Sequence, residues 1–370
     1  MTSHRSDAPP PRSAAHLPLL DSLRGLAAVL VLVAHAAREG FLPGFLGGGF
    51  GQVGVTTFFA LSGFLMAHIY FERDFTATEL RTYAVSRGGR VLPLYYLVVG
   101  GCSLLLLVIG TSLYGIMDLR GVALNLALVR GDGVFWSIPV EIHFYVLFVG
   151  LWWARSRGRL GVAVTTLLLA EVGLQLAFRD AGLLGRWIFY WAHVFLAGVG
   201  VSVLKRWLEG RGVTSLSNRW HLLGWVALAL VPLLPPLVRQ AAGIPIGPHA
   251  IDPISFGGPV LFLVCGVFAL GPVRALDVGW ARWLGRVSFG IYLLHVPFLI
   301  VARELGPWIG AVPGAQFAFA LVGTLIASAI SFRLVEAPAA ALARRRLLPP
   351  RKRPDAISAG GIEGASRAPT

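Results

Sequence analysis

A chain of 370 residues, 56% hydrophobic with a mean hydropathy of +0.71, cannot cover a soluble globule when only 14% of its residues are charged. Lipid must therefore be its solvent. The net charge of +14 does not point to nucleic acid, because the basic residues sit in short loops between apolar runs and form no stripe with interleaved aromatics. The two cysteines, Cys102 and Cys265, lie inside apolar segments as packing residues, without metal-ligand spacing.

About 20 apolar residues cross a bilayer as a helix. Ten stretches qualify, near residues 17–37, 53–71, 91–110, 134–153, 160–178, 187–204, 220–238, 255–270, 284–303 and 315–335. The expected fold is all-α: a polytopic integral membrane protein of about ten transmembrane helices. A tail at 1–16 precedes the transmembrane domain at 17–338, and a basic tail at 339–370 follows it. The apolar piece Leu119 to Val129 is too short to span and is expected at the interface or re-entering beside the fourth span. Ala34-His35-Ala36 imitates a signal cleavage site, but its apolar run is too long for a signal peptide and nine spans follow, so the first span is retained.

Ten spans put both termini on one side. Segments on that side hold 23 Lys and Arg, against 7 on the other, so both termini are expected in the cytoplasm of a cell whose inner membrane carries the protein. The tail beyond Arg344-Arg345-Arg346 and Arg351-Lys352-Arg353 turns Gly/Ser/Ala-rich and reads as a disordered basic anchor near anionic membrane lipid.

Ionisable groups inside a bilayer are costly and are functional hypotheses by default. The first span carries Asp21, Arg24 and His35. Arg24 and His35 are eleven residues apart, which at 100° per residue leaves them about 20° from alignment and roughly 16 Å apart along the axis. Asp21 lies one turn before Arg24 and can pair with it. An ion-paired helix start plus a hydrogen-bonded core histidine is the structural alternative, and the shared face favours function. The fourth span opens Phe135-Trp136-Ser137-Ile138-Pro139-Val140-Glu141, and running inward it places Glu141 near the depth of His35. There a carboxylate can orient the imidazole, as general-base work needs, or it can simply bond backbone or serine.

Arg87-Gly88-Gly89-Arg90 is expected in the inner loop before the third span. Two arginines three apart, with flexible glycines between them, either converge on phosphate oxygens or anchor the topology. His295 falls mid-membrane beside Val296-Pro297, with packing and functional readings equally open. Glu336 ends the last span, in a structural role and pairing with Arg333. Glu171, Gln175 and His193 read as isolated polar residues without chemistry.

Together these motifs resemble the acyltransferase-3 family of membrane-bound O-acyltransferases, over residues 19 to 338 and in the family's order. Leu20-Asp21-Ser22-Leu23-Arg24-Gly25 followed by His35 is similar to the family's opening segment, and Val53 through Ser62-Gly63-Phe64-Leu65 to its second-helix signature. Arg87-x-x-Arg90 with Leu92-Pro93, Trp136-Ser137 through Glu141 to Tyr145, Ser288 to His295, and Glu336-Ala337-Pro338 complete the set. The resemblance implies a ten-helix acyltransferase core, a cytoplasmic acyl-CoA donor and an acceptor reached from the outer side. It implies His35 as the catalytic histidine, Arg24 as its partner and Arg87 with Arg90 as a CoA-binding element. Pro139 and Ile142-His143 depart from the more usual small or polar residues around Glu141, and no C-terminal esterase-like domain follows here to deliver the acceptor.

The mechanism expected is base catalysis by His35, oriented by Glu141, on an acceptor hydroxyl that attacks the thioester. The oxyanion would meet Arg24, a backbone N–H near Gly63, or Ser62. A covalent acyl-histidine stays open, while Ser62 is the weaker nucleophile because no base is predictably near it. Trp136, Ser137 and His295 are candidate supporting residues, and no metal is expected. The acceptor expected is a carbohydrate of the surface polysaccharide or lipid-linked kind, or an exported glycosylated small molecule, and the acyl chain stays open, with acetyl favoured by the family resemblance. A proton-coupled transporter or flippase would need the same buried Arg, His and Glu, but no internal repeat with paired broken helices is evident.

Overall fold

Charge-poor apolar runs in lipid must satisfy their own backbone hydrogen bonds, and in the computed structural model they do so as helices. The structure describes residues 16–178, 187–213, 216–246, 252–308 and 312–349; the expected N-terminal tail and the Gly/Ser/Ala-rich C-terminal segment lie outside these, apart from their innermost residues. Among the described residues every regular element is helical. In chain order these are α1 (Pro18–Arg38), α2 (Phe50–Tyr70), α3 (Ala77–Ile109), α4 (Leu119–Leu126), α5 (Ser137–Ser156), α6 (Leu160–Phe178) and α7 (Ala192–Glu209). They continue with α8 (Leu222–Leu230), α9 (Pro236–Ala241), α10 (Pro253–Val267), α11 (Gly279–Glu304), α12 (Pro313–Ser331) and α13 (Ala337–Leu347).

Seven stretches among the described residues are long and apolar enough to cross a membrane, those containing α1, α2, α3, α5, α6, α11 and α12. The other three expected spans take different forms. α7 is 18 residues with Lys205 and Arg206 near its end, and α10 is 15 residues. The 220–238 stretch breaks into α8, a short 3-10 turn and α9, where Pro232, Pro235 and Pro236 remove successive backbone donors. The short piece after the third span is α4, capped by Asp118, whose carboxylate accepts from the Gly121 N–H at 2.6 Å.

The arginine pair is not in a loop. Thr76 accepts from the Glu79 N–H at 3.3 Å, a capping arrangement that starts α3 at Ala77 and carries it through Arg87 and Arg90 to Ile109. Its 33 residues extend about 50 Å, well beyond a hydrocarbon core of about 30 Å. Gly88 and Gly89 are therefore helical, and Gly89 faces Ala340 and Ala343 of α13.

α1 lies between α2 and α11, and small residues set the spacing. A Cβ on Gly285 of α11 would fall inside the backbone of Asp21, and one on Gly25 would come within 2.6 Å of the Gly285 nitrogen. α2 and α7 meet the same way, Gly63 against the Phe195 carbonyl and Gly198 against that of Ala60. Gly63 thus serves helix packing. The isolated polar residues also find each other. Glu171 accepts from the His193 ring at 2.6 Å, from the His193 backbone N–H at 2.9 Å and from Gln175 at 3.2 Å, joining α6 to the start of α7. Arg239 is fully buried on Asp252 at 2.5 Å and Ser255 at 2.8 Å.

Replacing Gly285 with leucine should lower the melting temperature of the detergent-purified protein, because overpacking costs about 1–3 kcal/mol. Gly100→Leu on α3, where a Cβ meets open space, should leave it unchanged. Equal effects of the two changes would show that the α1–α11 approach is not what limits stability.

Candidate active site

Three cavities follow one another along α1, and each shares wall residues with the next. The first, about 620 Å³, is lined by Asp21, Arg24, Arg87, Arg90, Arg286, Glu336 and Arg344 among others. The second is a neck of about 50 Å³ whose walls include Arg24, Ser62, Arg87, Arg90, Ser137, Glu141, Tyr145 and Tyr292. The third, about 500 Å³, is lined by His35, Arg38, Glu39, Gln52, Trp136 and Tyr292 among others. Arg24, Arg87 and Arg90 belong to both the first cavity and the neck, while Val55 and Tyr292 belong to both the neck and the third.

At the arginine end, the helical spacing of Arg87 and Arg90 puts both on one face of α3, turned toward α1. The Arg87 guanidinium lies over the Tyr70 ring, 5.7 Å from its centre, and its Nε is buried with no hydrogen-bond partner. Arg24 donates to Asp21 at 3.4 Å, and Asp21 also meets His16 at 2.9 Å, so the one-turn pairing expected from spacing is made. Glu336 accepts from Ser331 at 3.2 Å rather than pairing with Arg333. A π-helical turn at Phe332–Glu336 separates the two, leaving Arg333 exposed and Glu336 buried in the cavity wall. Five arginines, of which Arg286 and Arg344 are exposed, and three carboxylates line this cavity and the neck, a net positive lining that suits an anionic ligand.

Glu141 belongs to the neck. Its Oε1 accepts from Ser62 at 2.9 Å and from Tyr145, one turn on, at 2.6 Å. The expected bond to His35 is absent: the depth match of α1 and α5 is an axial argument, and the azimuth of α5 turns Glu141 toward α2 and the arginines. Ser62 therefore does have a carboxylate beside it. Ser137 donates to the Tyr292 hydroxyl at 2.8 Å, and that hydroxyl donates to the Val134 carbonyl at 2.7 Å, tying the turn at Gly133–Trp136 to α11.

At the histidine end, the partner of His35 is His295, with ring centres 4.9 Å apart and planes tilted by 59°. Both rings give their Nδ1 proton to their own helix, His35 to the Val31 carbonyl at 2.9 Å and His295 to that of Tyr292 at 2.8 Å. A neutral imidazole bonded this way carries its lone pair on Nε2. His295 Nε2 is buried without a hydrogen-bond partner, whereas His35 lines the open cavity. Trp136 shares that cavity and packs edge-on to Phe59, 6.0 Å between ring centres.

The structure thus gathers Arg24, Arg87, Arg90, Glu141, Ser62 and Ser137 at the neck, Asp21 with the arginines beyond it, and His35, His295 and Trp136 at the other end. Tyr145, Tyr292, Gln52, Arg286 and Arg344 were missed as site residues. Tyr145 and Tyr292 carried a signal, standing four residues from Glu141 and three from His295, one helical turn in each case. Among the described residues no cluster of three His, Cys, Asp or Glu is placed to hold a metal.

Comparison with known proteins fits this geometry. The chain is 30% identical over 312 residues to the exopolysaccharide production protein ExoZ of Rhizobium meliloti, covering 78% of this chain and 89% of that protein. It is 23% identical to the putative peptidoglycan O-acetyltransferase YrhL of Bacillus subtilis and 24% identical to the peptidoglycan O-acetyltransferase OatA of Listeria monocytogenes. The matches cover 87% and 88% of this chain but only 55% and 56% of those longer proteins. No solved structure matches it significantly. The acyltransferase-domain model of the acyltransferase-3 family matches residues 17–333, nearly the whole of the described helical core, and the chain belongs to that family of membrane acyltransferases.

Proposed function

We propose that the protein moves an acyl group, acetyl by preference, from cytoplasmic acyl-CoA to a hydroxyl of a surface polysaccharide, lipid-linked sugar or exported small molecule in the inner membrane, with both chain termini cytoplasmic. The observation that carries this reading is the pair of cavities, one cationic and one holding an open imidazole, that meet through a neck along α1. A polyphosphate is matched by the arginine cavity, because charge-assisted hydrogen bonds from guanidinium to phosphate are the strong ones and Arg87 has an unspent donor. The pantetheine arm then enters the neck past Arg24 and delivers the thioester toward His35. Family membership favours this reading over a transporter or flippase.

In the reaction, His35 Nε2 takes the proton of the acceptor hydroxyl as the oxygen attacks the thioester carbonyl. The new C–O bond forms, the C–S bond breaks, and the thiolate leaves with the proton that His35 returns. His295 is a positioning residue that fixes the plane of His35 by ring contact. Glu141 acts on the donor side, as a counter-charge to Arg24, Arg87 and Arg90 in the neck that the pantetheine arm passes.

His35→Ala should reduce transfer by roughly 10²–10⁴, the scale of general-base contributions, while membrane insertion stays intact. Turnover above a tenth of wild type at equal protein level would remove His35 from this role. Arg87→Ala combined with Arg90→Ala should raise the KM for acetyl-CoA on the order of 100-fold, each charged hydrogen bond contributing about 1.5–3 kcal/mol. S-acetyl-pantetheine, which lacks the nucleotide phosphates, should show little change, and equal losses for both donors would make the pair a purely structural element. Arg24→Gln and Glu141→Gln should be non-additive, the double variant being no slower than the worse single, since the two opposite charges line one neck and act there as a unit. Multiplying effects would separate Glu141 from the arginine.

A further inference from the structure

The histidine cavity differs in chemistry from the arginine cavity it faces. Its charged wall residues are Arg38 and Glu39, and Glu39 is taken by Arg303 of α11 at 3.2 Å. The remaining lining is neutral, which leaves the exposed Arg38 as the one cation of this wall, where five arginines line the other cavity. Gln52 stands out within it. It sits in the first turn of α2, where its backbone groups are used: the N–H donates to the Gly49 carbonyl at 2.9 Å, and its carbonyl accepts from Thr56 at 2.8 Å. Its side-chain Oε1 is buried and has no partner among the described residues. Buried amide oxygens are nearly always satisfied, so an unpartnered one on a side chain of the cavity wall, a rotation away from that space, calls for a donor.

The position is as telling as the orphaned atom. Gly51, one residue earlier, lies so close to α1 that a Cβ there would meet His35 Cε1 at 4.0 Å and the Ala34 Cβ at 3.2 Å. The first turn of α2 is thus docked beside the catalytic imidazole, and Gln52 opens on the same space. Trp136 adds an aromatic wall, and about 500 Å³ is ample for a sugar ring.

We infer that Gln52 is the acceptor-reading residue: its amide hydrogen-bonds a hydroxyl neighbouring the one that His35 deprotonates, and so selects a neutral polyhydroxylated ring. This rests on the acyltransfer reading above. An amide both accepts and donates, which matches a hydroxyl that does both, whereas a purely apolar acceptor would leave Oε1 unsatisfied.

The test uses the full-length protein in nanodiscs with acetyl-CoA and a panel of nitrophenyl gluco-, galacto-, manno- and N-acetylglucosaminides, together with monodeoxy analogues of whichever glycoside is acetylated. Gln52→Leu should raise the KM for that glycoside about tenfold and leave the KM for acetyl-CoA within about twofold, the loss expected from one hydrogen bond. Gln52→Glu, which keeps an acceptor oxygen, should recover part of the effect. The deoxy analogue lacking the neighbouring hydroxyl should suffer with wild type and no further with Gln52→Leu. An unchanged acceptor KM in Gln52→Leu overturns the inference, as does thioester hydrolysis without transfer to any glycoside. Loss of both hydrolysis and transfer in the wild-type protein would instead overturn the acyltransfer reading itself.

Discussion

Both ends of the site depend on how closely α1 approaches α11. With Gly25 and Gly285 in contact, the two helices run past one another with no side chain between them at that level. Gly285, Ser288, Tyr292 and His295 recur at intervals of three and four along α11, and Asp21, Arg24, Val31 and His35 lie along the apposed length of α1. A larger residue at position 25 or 285 would part the helices and carry His295 away from His35, while also unseating Arg24 from the neck. Lipid provides no hydrophobic drive for helix association, so van der Waals contact between small residues must provide it. The placement of two glycines is thus a statement about the chemistry ten residues further on.

The two cavities follow different electrostatic rules. Around the arginines, Arg24, Arg87 and Arg90 are balanced by three carboxylates, and the exposed Arg286 and Arg344 add a positive surplus at the rim of a cavity large enough to receive an anion. Around His35 the rings are matched by their own helices and Glu39 by Arg303, so that Gln52 Oε1, the Nε2 atoms and the exposed Arg38 are the polar groups left unmatched. On the proposed reading, one side attracts charge and the other reads shape and hydroxyl groups.

How much of this could be read in the sequence follows from what each inference needs. Arg24 and His35 on one face, and Asp21 paired with Arg24, require only the helical repeat, and the structure has both. Locating Arg87 and Arg90 required knowing where α3 begins. Hydropathy starts it near residue 91, but Thr76 and Glu79 form a capping pair that places the start at Ala77 and was legible in the chain. The breaks at Pro232, Pro235 and Pro236 were equally visible. Pairing Glu141 with His35 failed for a different reason. Topology sets the level of a residue in the membrane but not the rotation of its helix, and the rotation of α5 gives Glu141 to Ser62 and Tyr145. The Glu171–His193 and Arg239–Asp252 contacts likewise join residues whose proximity no periodicity reports.

The neck gives the site a direction. At about 50 Å³ it has room for little more than a linear chain, while the spaces on either side are ten times larger. A sugar ring does not pass such a constriction, and neither does a nucleotide. On the proposed reading, each substrate therefore stays on its own side and only the acyl thioester arm, unbranched and neutral near its end, crosses between them. The 16 Å or so of α1 that separates Arg24 from His35 is then the distance over which the arm must extend. Such an arrangement transfers an acyl group through the protein without opening a path for either bulky substrate, and it needs no rocking of one half of the molecule against the other. The residues that narrow the neck, Tyr292 and Ser137 among them, are bonded to each other and to the backbone of the turn before α5, which is what keeps the constriction fixed.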